Sequence, residues 1–284
     1  MIPQEGLHWV DGVCAHQVDI RDRGFQYGHG VFETIVVKSG IPQLLQEHFS
    51  RLALGLSFLS IQVDQEHIKA FIEKLTAQLY SQSTAQLHSQ CGDYLLKLTV
   101  TAGVGGRGYS YQPLKALWCV SLYPLPDFGR IRADGFQAIY CQHRMGARFY
   151  NGIKHLNCLD SVIAAGEIMR QGADEGLLLN EKGDLIEGSK TNLFLRFGDN
   201  WLTPDLACYG VKGVMRAWVM HYFRMRGVPI FEQEIQAKRA LEADEIFCCN
   251  SVMGIVPLTV CEGVTFDISP TTRELQKQTQ AFVC

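Results

Sequence analysis

No apolar run in the 284-residue chain approaches the roughly 18 residues that a membrane-crossing helix needs, so no bilayer span is expected. An excess of one charge is missing too. The formal net charge is -3, from 26 basic and 29 acidic residues, which leaves no polybasic stretch for nucleic acid or an anionic membrane. A small molecule is therefore the default ligand. The ten cysteines lack metal-ligand spacing: the tightest pair, Cys248-Cys249, has neither a Cys-x-x-Cys gap nor nearby histidines and reads as two small buried hydrophobes. The opening Met1-Ile2-Pro3-Gln4-Glu5-Gly6 lacks the basic and apolar regions of a secretory leader, so a reducing, cytoplasmic setting is expected. Internal repeats and low-complexity stretches are absent as well. What is present is a composition 47% hydrophobic and 19% charged, ordinary for a globular core large enough to enclose a ligand.

The pattern predicts an α+β protein. Leu7 to Val10, an Asp11-Gly12 turn and Val13 onward read as a hairpin. Tyr27-Gly28-His29-Gly30 reads as a turn entering the β-branched strand Val31 to Val37. Leu52, Leu56 and Leu59 recur at helical spacing between Glu47 and Leu59, and a second helix is expected from Gln65 to Leu79. Strands follow at Tyr94 to Thr101 and Leu117 to Tyr123, around the glycine-rich Gly103 to Tyr109. Pro124-Leu125-Pro126 disfavours both helix and sheet interior. It suggests an N-terminal domain over 1–123, a linker over 124–130 and a second domain over 131–284. The second domain should hold a strand at Phe136 to Cys141, a helix from about Leu156 to Gln171, a hairpin pair within Glu175 to Phe197, a helix from about Gly213 to Arg226 and strands near Ile246 and Ile255.

Five features have chemical potential, each with a bland alternative. Lys154 precedes the expected helix whose Leu156, Leu159, Ile163 and Ile168 form an apolar face; burial there would favour the neutral, nucleophilic amine, while a solvated surface lysine is the ordinary reading. Glu187 lies among strand residues, where a carboxylate can keep a pyridine nitrogen protonated or simply face water. Gly213 opens a helix whose N–H groups near Val214 and Met215 can bind phosphate, with the glycine allowing close approach, or it is an ordinary glycine-bearing helix start with no ligand. The hydroxyl of Ser251, after Asn250 at a strand end, can reach the same kind of anion or simply belong to a turn. Arg51, on a helix face otherwise apolar, either snorkels to water or meets a buried anion.

These segments occur together and in one order, and the chain resembles the fold-type IV pyridoxal-phosphate family from about Leu7 to Thr259. Asp22-Arg23-Gly24-Phe25-Gln26-Tyr27-Gly28-His29-Gly30-Val31-Phe32-Glu33 matches that family's Asp-Arg-Gly-x-x-Tyr/Phe-Gly-x-Gly-x-Phe/Tyr-Glu opening. The resemblance places the phosphate-binding arginine on Arg51, the Schiff-base lysine on Lys154 and the pyridine-nitrogen glutamate on Glu187, followed by Thr191-Asn192-Leu193-Phe194. The phosphate-binding helix start falls on Gly213-Val214-Met215-Arg216, with Ser251 at the strand end. Gly105-Gly106-Arg107-Gly108-Tyr109, Lys154-His155-Leu156-Asn157 and Asn250-Ser251-Val252-Met253-Gly254 are similar to segments of the family's aminodeoxychorismate lyases. The resemblance implies pyridoxal 5'-phosphate as cofactor, a smaller N-terminal α/β domain, a larger pseudo-barrel-like C-terminal domain and a homodimer. On that reading Arg107, a planar fork flanked by glycines, is the candidate for a substrate carboxylate, with His29 also at the substrate. Arg144 and Arg148 are weaker candidates, with plain solvation as their alternative. The proton donor is Lys154 or Thr34, the latter one residue after Glu33 on a strand expected to border the pocket. An aminotransferase acting on D-amino or branched-chain acids is the alternative activity. A cofactor-binding homologue without turnover is the alternative of another class.

Overall fold

A computed structural model describes residues 2–85, 93–110, 114–147, 150 and 152–283. The chain divides into two compact units: Met1–Pro126 with Ile153–Asn157, and Asp127–Gly152 with Cys158–Cys284. The short return of 153–157 to the first unit, which carries Lys154, has no counterpart in the domain plan expected from the sequence.

The first unit contains β1 (Leu7–Val10), β2 (Val13–Cys14), α1 (Arg23–Tyr27), β3 (Gly30–Lys38), β4 (Ile41–Pro42), α2 (Leu45–Phe58), α3 (Gln65–Ala85), β5 (Tyr94–Thr101) and β6 (Leu117–Pro124). Its strands form an antiparallel sheet in the order β2-β1-β6-β5-β3-β4. Alternation sends Val31, Ile35 and Val37 of β3, with Leu96, Leu98 and Val100 of β5, into a core shared with Leu52 and Leu56 of α2 and Ile68 and Ile72 of α3. Each fully buried leucine or isoleucine there contributes about 1.5–3 kcal/mol. Helix α2 approaches β3 closely because position 55 is glycine: a Cβ there would lie 2.7 Å from Cγ1 of Val31. The segment expected as a glycine-loosened turn is partly helical. Asp22 accepts hydrogen bonds from the backbone N–H groups of Gly24 and Phe25, which nucleates α1.

The second unit contains α4 (Gly129–Asp134), β7 (Phe136–Met145), α5 (Leu159–Gln171), β8 (Glu175–Asn180), β9 (Leu185–Gly188), β10 (Asn192–Phe197), β11 (Asn200–Pro204), α6 (Val214–Met225), β12 (Ile230–Gln233), α7 (Ala237–Ala240), β13 (Glu245–Asn250), β14 (Gly254–Cys261), β15 (Val264–Thr265) and α8 (Pro270–Thr279). Its nine strands form one mixed sheet in the order β12-β11-β10-β13-β14-β7-β8-β9, with β15 on β14, and the sheet curls into half a barrel. The expected α+β class holds, and the hairpin pair expected over Glu175 to Phe197 is three strands.

Two expectations around Lys154 are corrected. The helix begins at Leu159 instead of Leu156, because the chain before it is extended and bonded to β3. Of the apolar face expected on it, Leu159 is 66% and Ile163 37% exposed, while Ile168 is half-buried. The buried members of α5 are Ala164 and Glu167, and the Glu167 carboxylate accepts from the N–H groups of Gln142 and His143.

Candidate active site

In the first unit, β3 organises the chemistry. The N–H of Phe32 donates to the Lys154 carbonyl at 3.1 Å, and the N–H of Leu156 donates to the Gly30 carbonyl at 3.0 Å, so residues 154–156 run along the start of β3. This pairing fixes the lysine backbone and leaves its Nζ 4.3 Å from the centre of the Phe32 ring, a cation–π distance. Nζ of Lys97 lies 5.2 Å from the same ring. Thr34, two residues along β3, shares the Phe32 face and pairs with Lys97 on β5.

Glu33 points the other way, toward α2, and is buried with 1% of its surface exposed. Its Oε1 accepts from Nε of Arg51 at 2.8 Å, and its Oε2 accepts from Nη2 of the same guanidinium. Nδ1 of His48, one helical turn earlier, donates to Oε2 at 2.6 Å. Burial alone would push the Glu33 carboxyl up; the charge of Arg51 and the hydrogen bonds from Arg51 and His48 outweigh it and hold the group at about 2.

The glycine-rich segment is tied to α1. Buried Arg23 donates from its two terminal nitrogens to the carbonyls of Gly108 and Tyr109, both at 3.0 Å, and its guanidinium lies 4.7 Å from the Tyr27 ring. The Tyr27 hydroxyl accepts from the N–H of Gly108 at 2.8 Å. Arg107 thus sits exposed on a loop whose backbone is clamped on its C-terminal side. His29 belongs to that clamp. Its Nδ1 accepts from Nε of Arg23 at 3.2 Å and its Nε2 donates to the Leu59 carbonyl at 3.0 Å, so both ring nitrogens serve the protein itself.

In the second unit, Glu187 stands on β9, buried. Its Oε2 accepts from the N–H of Val211 at 2.9 Å and from the amide of Asn192 at 3.4 Å. The same Asn192 amide donates to the Val211 carbonyl at 2.8 Å, which binds the chain just before α6 to β9 and β10. Glycine is required at 213, where a Cβ would fall 2.0 Å from Oδ1 of Asn192. Helix α6 begins at Val214 with no side-chain cap on its N-terminus, so its first N–H groups lie outside the i→i−4 ladder and point where an anion is favoured. Val214, Met215, Val219 and Phe223 bury the helix, with Phe223 5.2 Å from Trp201 in an aromatic cluster that includes Phe247 and Phe194. Arg216 is occupied structurally, donating to Thr203, Pro204 and Glu232.

Two side chains brace the turns around this half. Buried Glu175 accepts from the N–H of Gly176 and from both the N–H and the hydroxyl of Ser189, and Thr191 donates to its other oxygen at 2.9 Å. Asn250 accepts from the N–H groups of Val252 and Met253 and donates to the Lys190 carbonyl, which sets the turn carrying Ser251. Arg144 folds onto its own strand at the carbonyls of Cys141 and Gln142; Arg148 lies outside the described residues.

Sequence reading missed Phe32, Glu33, His48, Asn192 and the Arg23–Tyr27 clamp as functional supports. A signal for Glu33 existed: it is the one charged residue on the inward side of a β-branched strand. Nothing local signalled that Phe32 underlies Lys154, since the contact closes over a long stretch of chain.

The amino-transferase class IV family model matches residues 30–261. An aminodeoxychorismate lyase of Vibrio harveyi is 30% identical over 277 residues, covering 95% of this chain and 98% of that protein. A putative branched-chain-amino-acid aminotransferase of Methanocaldococcus jannaschii is 29% identical, covering 87% of this chain and 83% of that one. The crystal structure of a 4-amino-4-deoxychorismate lyase from Pseudomonas aeruginosa superposes with a TM-score of 0.89 at 34% identity, covering 97% of this chain and 98% of that one. With the match spanning most of its length, the chain belongs to the class IV aminotransferase family.

Proposed function

We propose that the protein is a pyridoxal-phosphate-dependent 4-amino-4-deoxychorismate lyase, which converts its substrate into 4-aminobenzoate and pyruvate. The observation that carries this reading is the full-length likeness to lyases in both sequence and structure. The donor set fits the cofactor: an amine for its aldehyde in Lys154, a carboxylate for its ring nitrogen in Glu187, and Arg51, the uncapped start of α6 at Val214 and Met215, and the Ser251 hydroxyl for its phosphate. Pyridoxal phosphate, when bound, supplies a sink for the electron pair left when a proton leaves the carbon bearing the substrate amine.

The residues divide the remaining work. Nζ of Lys154, kept in place by the pairing of its backbone with β3, takes the proton from the amine-bearing ring carbon. Glu187 keeps the cofactor nitrogen protonated because Val211 and Asn192 hold its carboxylate in one orientation. The C–O bond to the enolpyruvyl group then breaks, the ring becomes aromatic, and the departing methylene gains a proton from Nζ of Lys154 or the hydroxyl of Thr34. Arg107 binds a substrate carboxylate with its planar fork. His29 serves the substrate at one remove, by orienting Arg23 and through it the Arg107 loop.

The buried free thiols of Cys141, Cys248, Cys249 and Cys261 support a cytoplasmic protein, and no helix among the described residues is long and apolar enough to cross a membrane. The exposed Leu159, Val162 and Met169 on α5 support a homodimer, which light scattering would report as twice the 31.9 kDa chain mass. The activity is tested by supplying aminodeoxychorismate and, separately, D-alanine or leucine with 2-oxoglutarate. Equimolar 4-aminobenzoate and pyruvate are expected; glutamate without 4-aminobenzoate would assign the chain to the aminotransferases instead.

A further inference from the structure

We propose that Glu33 is a positioning residue for phosphate recognition: it sets the guanidinium plane of Arg51 so that Arg51 meets the cofactor phosphate already oriented. The inference rests on the reading of Arg51 as a phosphate ligand.

Position 33 belongs to the core by pattern. Val31, Ile35 and Val37 on the same side of β3 are buried at 1%, 0% and 0%, and an apolar residue would complete the row at lower cost than a carboxylate. A buried carboxylate persists only if it is paired and hydrogen-bonded, and here both oxygens are engaged by one guanidinium, with His48 as a second donor. Both oxygens of Glu33 take the Nε–Nη2 edge of Arg51, and a two-point grip on a planar fork fixes the plane as well as the position. His48 donates its Nδ1 hydrogen to Oε2 and so fixes the carboxylate in turn. The second His48 nitrogen, Nε2, is buried with no hydrogen-bond partner among the described residues, a cost accepted for that single bond. The carboxyl, held at about 2, stays ionised across the working pH range. A long arginine side chain loses rotamer freedom when it binds an anion, and that loss is removed beforehand if the side chain is already held. The pair is close to neutral, so Glu33 contributes direction to the arginine's hydrogen bonds and not net positive charge.

The test compares the affinity of the full-length apoprotein for pyridoxal phosphate with that for pyridoxal, which lacks the phosphate. A purely structural role of Glu33 lowers both affinities alike; a role through Arg51 lowers their ratio. Arg51→Ala is expected to reduce the ratio by at least about tenfold, the effect of losing a charged hydrogen bond. Glu33→Gln, which turns an amide NH2 toward Nη2, should reduce it by a comparable factor. The double variant should fall no lower than Arg51→Ala alone. Should Glu33→Gln fail to fold, Glu33→Asp keeps the charge balance, displaces the fork by one methylene and should give a reduced ratio too. A wild-type or raised ratio in the soluble Glu33 variant, with a reduced one in Arg51→Ala, overturns the positioning role and leaves the Arg51 reading standing. A wild-type ratio in Arg51→Ala overturns that reading and this inference with it.

Discussion

The two units hold their functional groups by different physics. The first uses charge: Arg51 is gripped by Glu33, the amine of Lys154 lies over an aromatic ring, and Arg23 clamps two carbonyls of the glycine-rich loop. The second uses close backbone approach: Glu187 is held by an N–H and an amide, and α6 begins where only a glycine avoids Asn192. Buried charge fails when a partner is deleted, because the survivor is left unpaired. Close packing fails when an atom is added. The first unit should therefore be sensitive to truncation and neutralisation, the second to the insertion of a methyl group.

The largest effect is expected at Lys154. Lys154→Ala should lower kcat by about 10²–10⁴-fold or more, the range for removal of a general base, while the fold, followed by circular dichroism, stays intact. Glu187→Gln should come next. It keeps the shape of the side chain and the cofactor but weakens the sink, so turnover should fall sharply while cofactor content, read from the visible band, is retained. Retained turnover would remove Glu187 from the chemistry. Gly213→Ala should behave in the opposite sense, with cofactor affinity lost first, because the added Cβ displaces Asn192 and the start of α6 together.

Smaller effects sharpen the contrast. Arg23→Gln should raise KM for the carboxylate substrate by about tenfold with a lesser change in kcat, since it loosens the Arg107 loop without touching the reacting atoms. Equal losses in kcat and KM would make Arg23 merely structural. The first unit should also show an acid dependence carried by Glu33. The folded-state value of Glu33, about 2, lies below its ordinary 4.5, so the stabilisation it represents is present above about pH 4.5 and is lost as pH falls toward about 2. Denaturant melts of wild type and Glu33→Gln should accordingly differ most near neutrality and converge in acid.

Legibility in the sequence followed the range of the interactions. Strand β3 and helix α2 announced themselves through β-branched and 3.6-residue patterns, and the chemistry-bearing segments through their motif order. Helix α1 was hidden, because five residues give no periodicity and only the Asp22 cap marks them. The start of α5 was misplaced because Leu156 fits a helical pattern yet is recruited into pairing with Gly30, a contact closed by the tertiary fold. The apolar face of α5 was seen, but its exposure in the single chain was not, since hydrophobic spacing does not say what covers it. The supports of the site, Asn192 beneath Glu187 and Arg23 beneath the glycine-rich loop, depend on which backbones meet and had no local signature.

The most direct test of the account is to reduce the cofactor-loaded protein with borohydride and map the modified peptide. Two lysines share the Phe32 ring, Lys154 at 4.3 Å and Lys97 at 5.2 Å, so the experiment distinguishes neighbours and not merely distant residues. The account predicts one stable cofactor label per chain, on Lys154. Label on Lys97 or any other lysine, or none at all, would contradict it.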